Sequence, residues 1–416
     1  MSQVVIVPDK FKGTLTAPQV AAHVAAGLKR ARPGTETIQV PIADGGDGTV
    51  DAAEAAGYRK IEIGVRGPTG SPVTAAFAFS DGTAIIEAAQ ACGLSRLPGG
   101  ALAPLTASSR GVGELILAAA RMGAKRIVLG LGGVATTDGG SGMVRAFGAK
   151  LVDEADAELP PGGAALARLH QLDLRKMRDL SGVEFIVASD VNNPLLGEKG
   201  AAGVYAPQKG ASPEDVVFLE EGLTRWADAV EQALGTTHRD TPGAGAAGGL
   251  GFAALAFLRA TVQSGIELML DLVSFPAVLD GAALVITGEG TLDAQTLHGK
   301  APAGVAKATA AAEKGEGAPG GIPVIAVTGQ NALTADQVRE VGLAKAYALT
   351  DIEPDLDRCV ADAGRLVESL SEQVARDWLP ASLGSCSMVP SGVSCGTRRW
   401  WRPGPVADGG GSRYTG

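Results

Sequence analysis

Seven carboxylates of this chain sit in glycine-flanked loops just after apolar runs: Asp9, Asp44, Asp47, Asp138, Asp190, Glu289 and Asp293. Such a carboxylate holds a cation or orients a hydroxyl, and neighbouring glycines let backbone N–H groups approach an anion with no Cβ in the way. Two of the loops nearly repeat, Asp44-Gly45-Gly46-Asp47-Gly48 and Asp138-Gly139-Gly140-Ser141-Gly142. A single Asp-Gly pair is ordinarily only a turn. Acidic loops recurring at strand ends point to chemistry, because reacting groups gather at the carboxyl edge of a parallel sheet.

Cations occupy similar loops: Lys10, Lys12, Arg110, Lys199, Lys209 and Lys300. Most such lysines are simply solvated. Lys10 and Lys12 stand out because they lie between the first strand and the first helix, where the helix N-terminus adds its own pull on an anion. Oxygen ligands without a His/Cys cluster favour a hard cation, Mg²⁺ before zinc or iron, and the four histidines, His23, His170, His238 and His298, are scattered. A Walker A loop is absent, since Gly299-Lys300 runs into Ala301 with no glycine five positions earlier. Gly130-Leu131-Gly132-Gly133-Val134-Ala135 fits the G-x-G-x-x-A dinucleotide pattern, but Thr136-Thr137-Asp138-Gly139 cannot open the helix that the pattern requires. An NAD-dependent oxidoreductase is thereby a minor alternative, as is a non-catalytic two-domain binder of small hydroxy acids.

The positioning elements follow from periodicity. Val4–Val7 reads as a strand buried on both faces, and Thr16-Ala17-Pro18-Gln19 is a capping-box start for a helix to about Arg30. Thr37–Ile42 and Thr49–Ala56 repeat the strand and helix. The rhythm then turns to hairpin spacing, with strands at Arg59–Val65, Val73–Phe79 and Ala84–Ala88. A helix at Gly111–Met122, strands at Arg126–Leu131 and Phe185–Ala188, and a long helix at Pro213–Leu234 come next. Strands at Ala283–Thr287, Val324–Val327 and Lys345–Leu349 then alternate with helices at Pro302–Glu313, Ala335–Val341 and Asp355–Trp378. Two strands before the interruption and three after it predict a five-stranded doubly wound parallel sheet, with a mixed α/β domain inserted into it. The expected division is 1–60 with 276–378 for the first domain and 61–275 for the insert, leaving 379–416 as a disordered tail of Ser, Gly, Pro, Cys, Trp and Arg.

Bulk composition excludes several classes of function. Hydrophobic residues at 45% and charged residues at 19% describe an ordinary globular chain. A net charge of −9 with no Lys/Arg block argues against nucleic acid and anionic membranes as partners. Cys92, Cys359, Cys386 and Cys395 show no C-x-x-C spacing, so reduced thiols are expected. The N-terminal apolar run is too short for a signal peptide, and no run approaches the roughly 18 residues of a spanning helix. The expectation is a cytoplasmic protein, monomer or homodimer, acting on small molecules.

Taken together, six ordered blocks resemble the bacterial glycerate kinase family of the two-domain kind. They are Pro8-Asp9-Lys10-Phe11-Lys12-Gly13-Thr14, Ala43-Asp44-Gly45-Gly46-Asp47-Gly48-Thr49, Leu131 to Gly140, Ser189-Asp190-Val191-Asn192-Asn193-Pro194-Leu195, Pro207-Gln208-Lys209-Gly210-Ala211, and Thr287-Gly288-Glu289-Gly290 with Asp293, Gln295, Gly299 and Lys300. The resemblance implies a flavodoxin-like domain carrying a second α/β domain, and transfer of the γ-phosphoryl group of ATP to D-glycerate with Mg²⁺. It assigns Asp190, or alternatively Asp44, as the base and puts Lys10 beside them in the catalytic set. Lys12, Gly45, Gly46, Asp138, Gly139, Gly140, Asn192, Lys209 and Lys300 go to substrate or phosphate, and Asp47, Glu289 and Asp293 to the metal. Val134, Asn192 and Thr291 stand where the family commonly carries a serine, an aspartate and a basic residue. The two D-G-G-x-G loops are then expected to face each other across a cleft, the first binding metal and the second offering N–H groups to phosphate.

Overall fold

Val4, Val5, Ile6 and Val7 are all fully buried, which a strand achieves only when both of its faces are covered. They belong to β1 (Gln3–Pro8), an interior strand of the main sheet in the computed structural model, which describes residues 3–43, 45–298, 300–313 and 321–380. Because side chains alternate across a strand, Val4 and Ile6 enter one core with helices Ala17–Ala31 and Ala363–Trp378, while Val5 and Val7 enter another with helix Ala301–Glu313. The first of these helices opens with the reciprocal Thr16–Gln19 capping box implied by its sequence.

In chain order the strands continue with β2 (Glu36–Gln39), β3 (Arg59–Arg66), β4 (Pro72–Ser80), β5 (Thr83–Glu87) and β6 (Arg126–Gly130). Next come a small hairpin of β7 (Lys150–Val152) and β8 (Gln171–Asp173), then β9 (Glu184–Ala188) and β10 (Thr261–Gln263). The last are β11 (Ala282–Gly288), β12 (Thr291–Leu292), β13 (Val324–Thr328), β14 (Gln330–Asn331) and β15 (Lys345–Ala348). The main sheet runs β2-β1-β11-β13-β15 with every pairing parallel. A second sheet runs β3-β4-β5-β6-β9-β10, antiparallel through β3, β4 and β5 and parallel from β5 to β10. The chain is thus mixed α/β with parallel sheets, and the five strands of the first sheet are those counted from the sequence.

Several expectations need correction. The helix expected over Asp355–Trp378 is two, Leu356–Ala361 and Ala363–Trp378, because Asp362 leaves helical geometry (φ −110, ψ 20). Helices Ser141–Ala146, Ala246–Leu258 and Gly265–Leu272 were not expected at all. Leu379, the first residue of the expected tail, is buried in the core of the main sheet, and residues 381–416 lie outside the described part of the chain. Among the described residues no helix is long and apolar enough to cross a membrane.

Candidate active site

The carboxyl edges of both sheets open into two joined cavities. The first, ≈520 Å³, is lined by the loops leaving β1, β2, β11, β13 and β15 and contains Asp9, Lys10, Lys12, Asp47, Glu289, Asp293 and Lys300. The second, ≈540 Å³, adds the ends of β6 and β9 and contains Asp190, Tyr205, Gln208, Lys209 and Ala247. Lys12, Gly46, Gly132, Gly133, Gln295 and Lys300 line both, so the two spaces share a seam carrying two lysines.

Each group has a local reason for its place. The Lys10 ammonium donates to the Asp47 carbonyl at 2.7 Å and lies 3.8 Å from the Asp9 carboxylate, tying the loop after β1 to the loop after β2. Glu289 is buried, accepts a 2.6 Å hydrogen bond from the Thr296 hydroxyl and sits 3.9 Å from Lys300. Burial pushes its carboxyl up to about 7; the Thr296 bond and Lys300 oppose that rise, and the charges of Asp9 and Asp293 add to it. Asp293 accepts from the Gln295 N–H at 2.8 Å and lies 3.8 Å from Lys300. The first cavity therefore gathers four carboxylates whose oxygens suit a hard cation. Among the described residues no group of three or more His, Cys, Asp or Glu forms a metal cage by itself.

The second cavity has a different character. Lys209 is buried, its ammonium donating to the Thr136 carbonyl at 2.6 Å, and burial lowers it to about 8 against the pull of Cys92 and Asp138. Asp190 is exposed, with one oxygen accepting from the Gly265 N–H at 3.2 Å. Ala247 holds a left-handed backbone there (φ 55).

The partner of the first D-G-G-D-G loop is not the second copy. A Cβ at Gly132 would lie 2.6 Å from the Gly46 Cα, one at Gly45 would lie 2.8 Å from the Ala188 carbonyl oxygen, and the Gly132 N–H points to the Gly45 carbonyl. The glycines of Gly130-Leu131-Gly132-Gly133 thus let two loops touch backbone to backbone at the seam, which explains the dinucleotide-like string without a dinucleotide.

Asp138, Gly139 and Gly140 correct the sequence expectation most sharply. Asp138 is completely buried and accepts from the Ser109 N–H and hydroxyl, both at 2.9 Å, and from the N–H groups of Gly140 and Gly142, both at 3.2 Å. The Gly139 N–H donates to Gly248, the Ser141 N–H to Asp138, and the Gly139 carbonyl accepts from the Trp226 indole at 2.9 Å. The N–H groups of Gly139, Gly140, Ser141 and Gly142 are thus each bonded inside the core.

Of the other candidates, Gly45 lines the second cavity and Gly46 the seam. Asn192 lines neither joined cavity; it lies with Asp190 on an adjoining one. Asp44, Gly299 and the His298 side chain lie outside the described residues. Sequence reasoning passed over Glu87, which ends β5 buried beneath the first loop and accepts from the Gly48 and Val50 N–H groups at 3.1 and 3.3 Å. Its burial, with the negative charges of Asp47 and Asp51, pushes its carboxyl up to about 7 against those two bonds. The only sequence signal was a charge closing an apolar strand.

Residues 4–379 match the model of the glycerate kinase family. A glycerate kinase of Bacillus subtilis is 41% identical over 377 residues, 90% of this chain and 97% of the relative. A glycerate 2-kinase of Escherichia coli is 40% identical, covering 87% of this chain and 94% of its own length. A crystal structure described as a glycerate kinase 2 from Salmonella typhimurium superposes with a TM-score of 0.76 at 38% identity, over 90% of this chain and 98% of that one. An architecture of parallel sheets, acidic and basic loops converging at their carboxyl edges, and near full-length similarity together show that this chain belongs to the glycerate kinase family.

Proposed function

We propose that the chain transfers the γ-phosphoryl group of ATP to the 2-hydroxyl of D-glycerate, with nucleotide and metal in the first cavity and glycerate in the second. The observation that carries this reading is the segregation of charge. Of the two joined cavities, Asp47, Glu289 and Asp293 line the first and not the second, Asp190 and Lys209 the second and not the first, and Lys12 and Lys300 line the seam across which the phosphoryl group would pass. Phosphoryl transfer asks chiefly for positioning and charge neutralisation, which this layout supplies. Held by one or two of Glu289, Asp293 and Asp47 together with phosphate oxygens, Mg²⁺ would neutralise charge on the transferred group. Asp190 takes the proton of the attacking hydroxyl, Lys209 holds the glycerate carboxylate, and Lys10 fixes the loop that carries Asp47. The preference for the 2-hydroxyl follows the name of the Escherichia coli relative.

The same reading divides the chain into a flavodoxin-like domain of residues 1–60 and 276–378 with residues 61–275 inserted. In support, the order β2-β1-β11-β13-β15 becomes 2-1-3-4-5 when counted along that sheet alone, the order of flavodoxin-like sheets. The first cavity lies outside the β1/β11 switch point, where such sheets take their ligands.

Incubation with ATP, Mg²⁺ and D-glycerate is expected to give 2-phosphoglycerate, identified by phosphorus NMR of the product. 3-Phosphoglycerate would overturn the regiochemistry, and no product at high enzyme concentration would overturn the reading.

Lys209 gives this reading a pH signature. A lysine held at about 8 carries its charge below that pH and loses it above, so the KM for glycerate is expected to climb as pH rises through about 8. A Lys209→Met variant is expected to bind glycerate weakly with no step there. Stability moves the opposite way, because the unfolded chain binds the extra proton between about 8 and 10.5 and folding strengthens across that window.

A further inference from the structure

The side of the first cavity formed by the chain after β15 is apolar. Leu356 and Val360 lie one turn apart on helix Leu356–Ala361, flanked by Leu349 and Ala363. Leu356 is 49% and Val360 58% exposed, although an amphipathic helix ordinarily buries such a face. The break at Asp362 produces this: a continuous helix would carry these residues along the axis of Ala363–Trp378, whereas the short segment is set off from it. The segment is capped internally, with Asp355 accepting from the Asp357 and Arg358 N–H groups and the Cys359 thiol donating to the Glu353 carbonyl at 3.1 Å.

The cavity is therefore polarised, with Lys10, Lys12, Glu289 and Lys300 on one side and this aliphatic wall on another. Neither glycerate, a three-carbon hydroxy acid, nor a chain of phosphates has an apolar surface to lay against it. The flat heteroaromatic base of a nucleoside triphosphate does, and ≈520 Å³ lies within the usual range for sites that enclose ligands of that size.

We infer that Leu349, Leu356 and Val360 form the subsite for the base of the nucleoside triphosphate, with its phosphates directed toward Lys12 and Lys300. This inference rests on the phosphoryl-transfer reading and adds where the donor's base sits. Aliphatic walls recognise a ring by its face, so the wall contributes affinity for the donor and leaves the reacting end untouched.

The test compares Val360→Glu and Leu356→Gln with the parent chain, measuring kcat, the KM for ATP and for D-glycerate, and inhibition by inorganic tripolyphosphate. Both positions are half exposed, so polar side chains leave the core intact. The expected result is an ATP KM raised about tenfold, with kcat, the glycerate KM and tripolyphosphate inhibition within about twofold of the parent, the pattern of lost uniform binding. A Val360→Trp variant reads the contact directly: ATP is expected to quench its added fluorescence, and tripolyphosphate to leave it unchanged. An unchanged ATP KM in both polar variants, or no ATP quench in a Val360→Trp variant that still phosphorylates glycerate, overturns the inference. Those outcomes leave the kinase reading standing, whereas failure of the parent chain to phosphorylate glycerate removes that reading and the base subsite with it.

Discussion

An Asp190→Asn chain is expected to bind both substrates and to turn over roughly 10²–10⁴ times more slowly, the usual size of a general-base contribution. The substitution is close to isosteric and keeps the oxygen that accepts from the Gly265 N–H at 3.2 Å, so the loop after β9 holds its shape while the side chain loses its capacity to take a proton. Four other carboxylates, Asp9, Asp47, Glu289 and Asp293, line the neighbouring cavity and not this one, with Glu289 and Asp293 both within 4 Å of Lys300. Asp190 alone among the described carboxylates lines the cavity that holds Lys209. Steady-state kinetics decides the matter: kcat should fall while both KM values stay within about threefold, since nothing in the ground-state contacts of either substrate has been removed. Full turnover in this variant would return the proton-accepting role to Asp44, the other carboxylate that the sequence offers for it.

How far the sequence carries depends on whether a feature is local. Within the main sheet β1, β11 and β13 were legible because each is a buried run rich in β-branched residues, and Val324–Thr328 departs from its expected range by a single residue. Helix Pro213–Leu234 was readable end to end, since Ser212 caps it reciprocally with Asp215 and left-handed Gly235 stops it. Helix Ala246–Leu258 was not. It starts in a glycine-rich stretch where Ala247, Gly248 and Gly249 all have positive φ, a composition that looks like a loop until Gly139 and Leu195 are packed against it. The Asp362 break is hidden for the opposite reason, because Leu356, Val360 and the residues beyond keep helical spacing on both sides of it.

The site divides along the same line. Residue type and position after a strand brought Lys10, Lys12, Asp47, Glu289, Asp293 and Lys300 into one cavity and Asp190 and Lys209 into its neighbour. Depth could not be read. Whether an acidic glycine loop meets water or core is decided by partners far away in sequence: Trp226 for the second copy, Glu87 for the first.

The second copy gives the other large effect, on folding. An Asp138→Ala chain is expected to lose about 3–5 kcal/mol of stability, because removing one member of a buried, fully bonded charged group strands the rest. Four donors converge on this carboxylate: the Ser109 N–H and hydroxyl and the N–H groups of Gly140 and Gly142. Solvent cannot replace it, since a Cβ at Gly139 would already lie 2.5 Å from the Trp226 ring and the aspartate is completely buried. Burial pushes the Asp138 carboxyl up from its ordinary range and the four bonds pull it back, so its charge depends on their staying together. An Asp138→Asn chain, which keeps one acceptor but turns an amide N–H₂ toward donors, is expected to fall between Ala and the parent. Urea unfolding followed by two independent probes measures the loss, with coincident transitions required before a single free energy is assigned. The folded fraction of either variant should bind ATP with parental affinity, because residues 138–142 are buried and line neither joined cavity. Parental stability combined with lost ATP binding would reverse this assignment and return the second loop to the phosphate site.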